Sequence, residues 1–245
     1  MVKNKKVLAI IPARSGSKGI KDKNIKSFCG KPLIYYTISE ALKSRHIDRL
    51  IVSTDSEEYA KIARRFNAEV PFLRPKELAT DSSPIVDTIL HLIEKLKRDE
   101  NYIPDYILLL QTTSPLRTSR DIDNCINILN SGDCDGVVSM CSTEQLLYGI
   151  KDGFIDILFN KNWIRKTNRQ SLQATYRLNG SAIYLISREV FIKTRSFLKA
   201  RIRPYIMDRW QSLDLDDIND FINAEIIYRN RNKFHNKWLR MLKKS

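Results

Sequence analysis

Apolar residues fall along this chain in short continuous runs, separated by polar turns and by stretches with a helical period. The first run, Val7-Leu-Ala-Ile-Ile, lies between Lys5-Lys6 and a break at Pro12. A run of this kind reads as a strand buried on both faces, the habit of parallel sheets covered by helices. Residues 105–111 are more apolar still and are expected at the centre of the sheet. Further strands are expected over 49–55, 68–73, 135–140, 182–186 and 204–207, with Pro71 placing the second of these near a sheet edge or a strand end.

Helical spacing predicts helices over 31–44, from Ser56-Glu57-Glu58 onward, over 84–97, 119–129 and 188–194, and over 216–242. Acids open several of these helices and basic residues close the last, as the helix dipole favours. The Ser/Asp cluster at 81–83 is expected to cap the helix that Pro84 begins. Strands alternating with helices predict one three-layer α/β/α domain over 1–245, with a mostly parallel sheet. Residues 141–180 have no clear period and read as an excursion from that sheet.

An open parallel sheet binds ligands beyond the carboxyl ends of its strands, so the residues there are candidates. After the first run comes Arg14-Ser-Gly-Ser-Lys18-Gly-Ile-Lys21-Asp-Lys23-Asn24, a loop with two glycines and four basic side chains. Backbone N–H groups and positive charge presented this way suit phosphates. The order of residues matches neither the NTPase P-loop nor the dinucleotide turn, and a merely solvated basic turn is the plain alternative. Ser53-Thr54-Asp55 and Gln111-Thr112-Thr113 end two other strands. Late in the chain stands Asp214-Leu-Asp216; in an extended segment, side chains at i and i+2 share a face. Two such carboxylates can share one Mg²⁺, which favours oxygen ligands and phosphate. The alternative for the Asp216-Asp217 pair is to cap the final helix.

Composition bounds the rest. No apolar run approaches the roughly 18 residues of a membrane span, and the first residues lack a signal-peptide pattern, so a cytoplasmic protein is expected. Cys29, Cys125, Cys134 and Cys141 have no C-x-x-C spacing and read as reduced thiols. The net charge of +14 is uneven, with 12 Lys/Arg against two acids from Phe159 to Arg209 and seven against none from Tyr228 to Ser245. Such an excess permits contact with nucleic acid and equally suits a site that collects a triphosphate and an acidic sugar.

Ile11-Pro-Ala-Arg-Ser-Gly-Ser-Lys-Gly-Ile-Lys-Asp-Lys-Asn24, followed by Gly30-Lys-Pro-Leu33, resembles the N-terminal signature of the CMP-sialic acid synthetases, the acylneuraminate cytidylyltransferases and their legionaminic-type relatives. The resemblance implies transfer of CMP from CTP to a nonulosonic, nine-carbon acidic sugar, with release of pyrophosphate. It implies nucleotide contacts at Arg14, Ser17, Lys18, Lys23, Asn24, Arg74, Ser83 and Gln111, and sugar contacts at Gln111, Thr113, Asn179 and Tyr184. Asp214 and Asp216 match the Mg²⁺ carboxylates. Arg14 and Lys23 are expected to act with them in catalysis. The excursion at 141–180 implies a homodimer contact, with Arg169 reaching the sugar carboxylate of the partner subunit. No nucleic-acid or membrane partner is implied.

The chain departs from that pattern where the sugar is read. Arg177-Leu-Asn-Gly-Ser-Ala-Ile-Tyr184 has Leu178 for a proline and one extra residue, and Glu144-Gln-Leu-Leu-Tyr148 replaces a His-Pro segment. These changes leave the identity of the sugar open. The KDO cytidylyltransferases, whose loop runs Ser-Thr-Arg-Leu-Pro-Gly-Lys, are the nearest alternative enzyme. A basic nucleic-acid-binding module is the alternative from another class.

Overall fold

A computed structural model describes residues 5–17, 19–143, 148–151, 154–157 and 174–242. Its elements, in chain order, are β1 (Val7–Pro12), β2 (Ser27–Phe28), β3 (Lys31–Pro32), α1 (Leu33–Leu42), β4 (Arg49–Ser53), α2 (Glu57–Arg65), α3 (Ile85–Glu100), β5 (Tyr106–Leu109) and α4 (Ser119–Asn130). There follow β6 (Gly136–Ser142), β7 (Tyr148–Lys151), β8 (Phe154–Ile157), β9 (Tyr176–Leu178), β10 (Tyr184–Ser187), α5 (Arg188–Thr194), β11 (Ile202–Ile206) and α6 (Ile218–Leu242).

The main sheet runs β11-β6-β10-β5-β1-β4, with β9 paired to β6. β1 lies between β5 and β4 and is parallel to both, and β11 is parallel to β6. β10 is antiparallel to both β5 and β6, and β9 is antiparallel to β6. The sheet is therefore mostly parallel with an antiparallel insertion, and the central run of 105–111 shares the middle with β1 and β10.

Alternation along the strands sorts side chains into two layers. Ala9, Ile11, Val52, Leu108 and Leu185 face α1, α2 and α4; Leu8, Ile10, Leu109 and Ile186 face α3 and α5. This is the three-layer α/β/α arrangement. A third cluster packs α6 on the β2–β3 hairpin and α1 through Phe28, Tyr36 and Phe221, with Phe28 ringed edge-on by both. Burial of the continuous run Val7–Ile11 on both faces is what turns an unpatterned apolar stretch into a central strand.

Local chemistry accounts for most boundaries. Ser56 caps α2 by accepting from Tyr59 N, and Thr118 with Asp121 forms a capping box on α4. Several expected boundaries move. The helix expected over 31–44 begins at Leu33, because Lys31 and Pro32 pair with Ser27 and Phe28 instead. No side chain caps α3, which begins after Pro84. The stretch 68–73 makes a single bridge, Glu69 with Ile51; Glu69 bonds both ways to β4 before Pro71, which has no N–H to extend the ladder. The final helix begins at Ile218, and Asp217 caps it by accepting from the N–H groups of Asn219 and Asp220.

The excursion is only partly described. β6 runs on to Ser142, β9 returns alongside it, and β7 with β8 forms a separate antiparallel pair. Among the described residues no helix is long and apolar enough to cross a membrane, and all four cysteines are free thiols.

Candidate active site

A cleft of about 510 Å³ opens beyond the carboxyl ends of β1, β4 and β5. The loop after β1 forms one side. Its backbone is held from below, where Ser15 donates through both N (2.8 Å) and Oγ (2.6 Å) to the Asp55 carboxylate at the end of β4. Burial pushes the Asp55 carboxyl up, but the two Ser15 bonds and the Arg74 charge more than offset it, and the net shift is downward. Gly16 takes a left-handed φ of +73°, and Asp22, also left-handed, is anchored by the Tyr59 hydroxyl at 3.0 Å. Asn24 bonds the Arg14 carbonyl at 3.0 Å and accepts from Thr112 at 2.6 Å, tying the loop to the end of β5.

Among the described residues, three cations line this cleft. Arg14 reaches across to Asp81 with Nη2–Oδ1 at 2.5 Å. Arg74 is almost fully buried beneath it, spending Nε on Ser53 Oγ (3.1 Å) and Nη2 on the Ser53 carbonyl (2.5 Å). That burial lowers its guanidinium to about 10, still charged at neutral pH. Lys23 is well covered; its Nζ donates to the Leu215 carbonyl at 2.6 Å and stands 3.9 Å from Asp216 Oδ1.

The acidic segment 214–216 closes the far side. Leu215 N bonds the Thr113 carbonyl at 3.0 Å, which hangs the segment on the end of β5. Burial pushes the Asp214 carboxyl up and the nearby Asp216 charge adds to this, against a hydrogen bond from Thr113 and the charge of Lys23; the net shift is upward. Asp216, by contrast, is largely exposed. Two glycines make room: a Cβ on Gly180 would stand 2.2 Å from Asp214 Cγ, and one on Gly19 would stand 2.8 Å from the Asp216 carbonyl. A half-buried carboxylate two residues from a second, exposed one offers oxygen ligands of the kind a hard metal ion takes. Among the described residues no three His, Cys, Asp or Glu gather as a metal cluster, and a two-carboxylate set matches Mg²⁺, which completes its shell with phosphate and water.

Of the residues singled out in the sequence, Arg14, Ser17, Lys23, Asn24, Arg74, Ser83, Gln111, Thr113 and Asp216 line the cleft, while Asp214 lies against Gly180 and is not one of the lining residues. Asp216 does not cap α6; that role falls to Asp217. Lys18 and Arg169 lie outside the described residues. Asn179 and Tyr184 do not line the cleft. The Asn179 side chain is fully buried, accepting from Ser139 Oγ at 2.7 Å and donating to Ser212 Oγ at 3.1 Å. The Tyr184 ring packs against Phe197 in the core beneath α3 and α5. Both side chains are engaged in packing and internal bonds, and a sugar contact at either position stays a proposal.

Sequence reasoning passed over Thr80 and Asp81 as cleft residues, and both line it. The signal for Asp81 was its place in the polar turn after Arg74, where it read only as a helix cap.

Comparison with known proteins bears on this geometry. A model of the family described as Cytidylyltransferase matches residues 8–244. The N-acylneuraminate cytidylyltransferase of Escherichia coli O18:K1:H7 is 36% identical over 231 residues, 93% of this chain and 53% of that protein. The chain thus spans about half the length of that relative. The CMP-N,N'-diacetyllegionaminic acid synthase of Legionella pneumophila is 33% identical over 228 residues, 90% of this chain and 95% of the relative. In fold, the chain matches a CMP:2-keto-3-deoxy-manno-octonic acid synthetase solved with CTP, with a TM-score of 0.69, 15% identity, and coverage of 92% and 99%. A cleft beyond the strand ends that gathers Arg14, Lys23 and Arg74 beside an acidic segment, in a chain whose residues 8–244 match the family model, places this protein in the cytidylyltransferase family.

Proposed function

We propose that this chain activates a nonulosonic, sialic-acid-like sugar with CTP, giving the CMP-sugar and pyrophosphate. The observation that carries the reading is the meeting of Lys23 with the Asp214–Asp216 segment, which brings phosphate-binding charge and metal-binding oxygen to one point. The relatives' names supply the nucleotide and the sugar class.

The chemistry needs no covalent enzyme intermediate, and the described residues of the cleft include no cysteine or histidine. The anomeric hydroxyl of the sugar attacks the α-phosphorus in line and gives up its proton to solvent, while the bond from the α-phosphorus to the bridging oxygen breaks and pyrophosphate leaves with that oxygen. Arg14 and Lys23 stabilise the charge that builds on the departing pyrophosphate. Arg74 raises the potential of the floor from below. Asp214 and Asp216 would hold Mg²⁺, whose role is to offset phosphate charge in the transition state. Gln111, at the open end of β5, is positioned to meet the sugar.

The protein works as a cytoplasmic homodimer in this reading, and the excursion after β6 contacts the partner. Mixing Arg169→Ala with Asp214→Asn protomers should then restore part of the activity, because a mixed dimer holds one intact composite site. Proven mixed dimers without recovery would confine Arg169 to its own subunit.

The deciding experiment measures pyrophosphate release from each of the four NTPs, crossed with nine-carbon keto acids and the eight-carbon octulosonate. CTP-dependent release with a nine-carbon acid is the expected result. A preference for the eight-carbon acid would transfer the chain to the KDO-type reaction. Tight, salt-steep oligonucleotide binding with no turnover of any sugar would sink the enzyme reading.

A further inference from the structure

Arg14 is a cation the phosphate reading requires, yet a carboxylate already holds it. Its Nη2 lies 2.5 Å from Asp81 Oδ1, and the pair spans the cleft from the β1 loop to the turn before α3. That turn is closed on itself. Ser83 N donates to the Thr80 carbonyl at 3.3 Å, the two hydroxyls lie 2.6 Å apart, and Ser83 Oγ donates to the Glu77 carbonyl at 2.8 Å. Asp81 is therefore presented to the phosphate loop on a braced frame.

Among the described residues lining the cleft, Asp81 and Asp216 are the acids. Asp216 belongs to the segment that Lys23 holds. Asp81 stands on the other wall, where a polyphosphate would meet it as a like charge. A carboxylate oxygen and a phosphate oxygen seek the same guanidinium N–H groups, in the same planar geometry. The N–H of Nη2 that Asp81 holds cannot serve a phosphate oxygen at the same time, so a phosphate that takes that edge of Arg14 displaces the carboxylate.

We infer that Asp81 is a positioning residue that stands in for substrate phosphate. Its carboxylate holds Arg14 extended across the cleft of the free protein, gives the guanidinium up to the incoming triphosphate, and takes it back as pyrophosphate leaves. This rests on the nucleotide reading of the cleft. It makes Asp81 a competitor with a sign: removing its charge strengthens anion binding and slows release, where loss of an ordinary binding residue would weaken it.

The test is calorimetric binding of pyrophosphate and of CTP, with stopped-flow dissociation, on the full chain and three variants: Asp81→Asn, Arg14→Ala and the double. Asp81→Asn should bind pyrophosphate roughly two- to five-fold more tightly, the range set by a partly exposed ion pair, with slower dissociation and a smaller gain at high salt. The gain should vanish in the Arg14→Ala background, as a pairwise coupling must. A gain of the same size without Arg14 would reduce Asp81 to a general contributor to the field and overturn the inference. Weaker or unchanged binding by Asp81→Asn would overturn it too, while leaving the nucleotide reading intact. A wild-type protein that binds neither CTP nor pyrophosphate would remove that reading and the inference together.

Discussion

The loop after β1 and the Asn179-Gly180 turn before β10 stand on the same edge of the sheet, since β10 runs antiparallel and its first residue, Tyr184, pairs with Leu109 at the end of β5. One offers Arg14, Ser17 and Lys23 to the cleft; the other buries Asn179 and uses Gly180 to make room for Asp214. The contrast teaches that two motifs at one site can do different work. The first supplies the groups that, in the proposed function, meet the nucleotide. The second supplies the scaffold that aims a carboxylate: Asn179 bonds Ser139 on β6 and Ser212 just ahead of Asp214, so three separate segments are fixed through one amide.

Breaking the acidic segment should give the largest effect. Asp214→Asn and Asp216→Asn should each cost at least about two orders of magnitude in turnover, the scale for losing a transition-state charge stabiliser. The fold should hold in circular dichroism. Near-normal turnover of both at saturating Mg²⁺ would remove the segment from the mechanism.

Gly180→Ala attacks the scaffold alone. The backbone there is left-handed, with a φ of +66°, and the added methyl overlaps Asp214. The strain of about 1–2 kcal/mol together with the displaced carboxylate should lower kcat by roughly ten- to a hundred-fold, on the scale of misplacing a catalytic group. Full kcat in a folded variant would mean that Asp214 need not be held.

Asn179→Ala sharpens the comparison by separating support from contact. It leaves the hydroxyls of Ser139 and Ser212 short of a partner in a buried site, which costs about 1–3 kcal/mol of stability. A lowered Tm is expected together with reduced kcat. An unchanged Tm with a raised KM for the sugar alone would mark Asn179 as a direct contact and not a support.

The smallest effect concerns Asp55 beneath the phosphate loop. Its folded carboxyl titrates below the ordinary value because Ser15 bonds the charged form. The stability it contributes is therefore fully present above the unfolded value of about 3.9 and is lost as pH falls through the lower folded value. Urea unfolding of wild type and Asp55→Asn should differ by a constant amount from about pH 5 to 8, and the gap should close on acidification below about pH 4. A gap that persists unchanged to the lowest pH would show that the Ser15 bonds contribute nothing through the charge.

Much of the site was legible because its signals are local. A buried strand must end somewhere, and polar residues clustered at that end mark the crevice side in a parallel sheet; Arg14, Ser53, Asp55 and Gln111 were found that way. The i, i+2 spacing of Asp214 and Asp216 marked the acidic segment. The burial of Asn179 and Tyr184 was not legible, because a resemblance identifies a position without saying which way its side chain turns. Asp81 was passed over because its partner lies 67 residues away, and no local pattern announces a pair of that separation.

The sequence by itself determined the layers, the strands with continuous apolar runs, most helix starts, and the cationic and acidic stretches, since propensity, period and capping act over a few residues. Only the tertiary structure decided that β10 runs against its neighbours, that Asp217 and not Asp216 caps α6, and that Lys23 meets Leu215 and Asp216 across 192 residues of chain. The physical reason is range. Strand direction and long-separation bonds are settled by how whole faces bury against one another, and burial is a property of the assembled sheet that no short window of sequence contains.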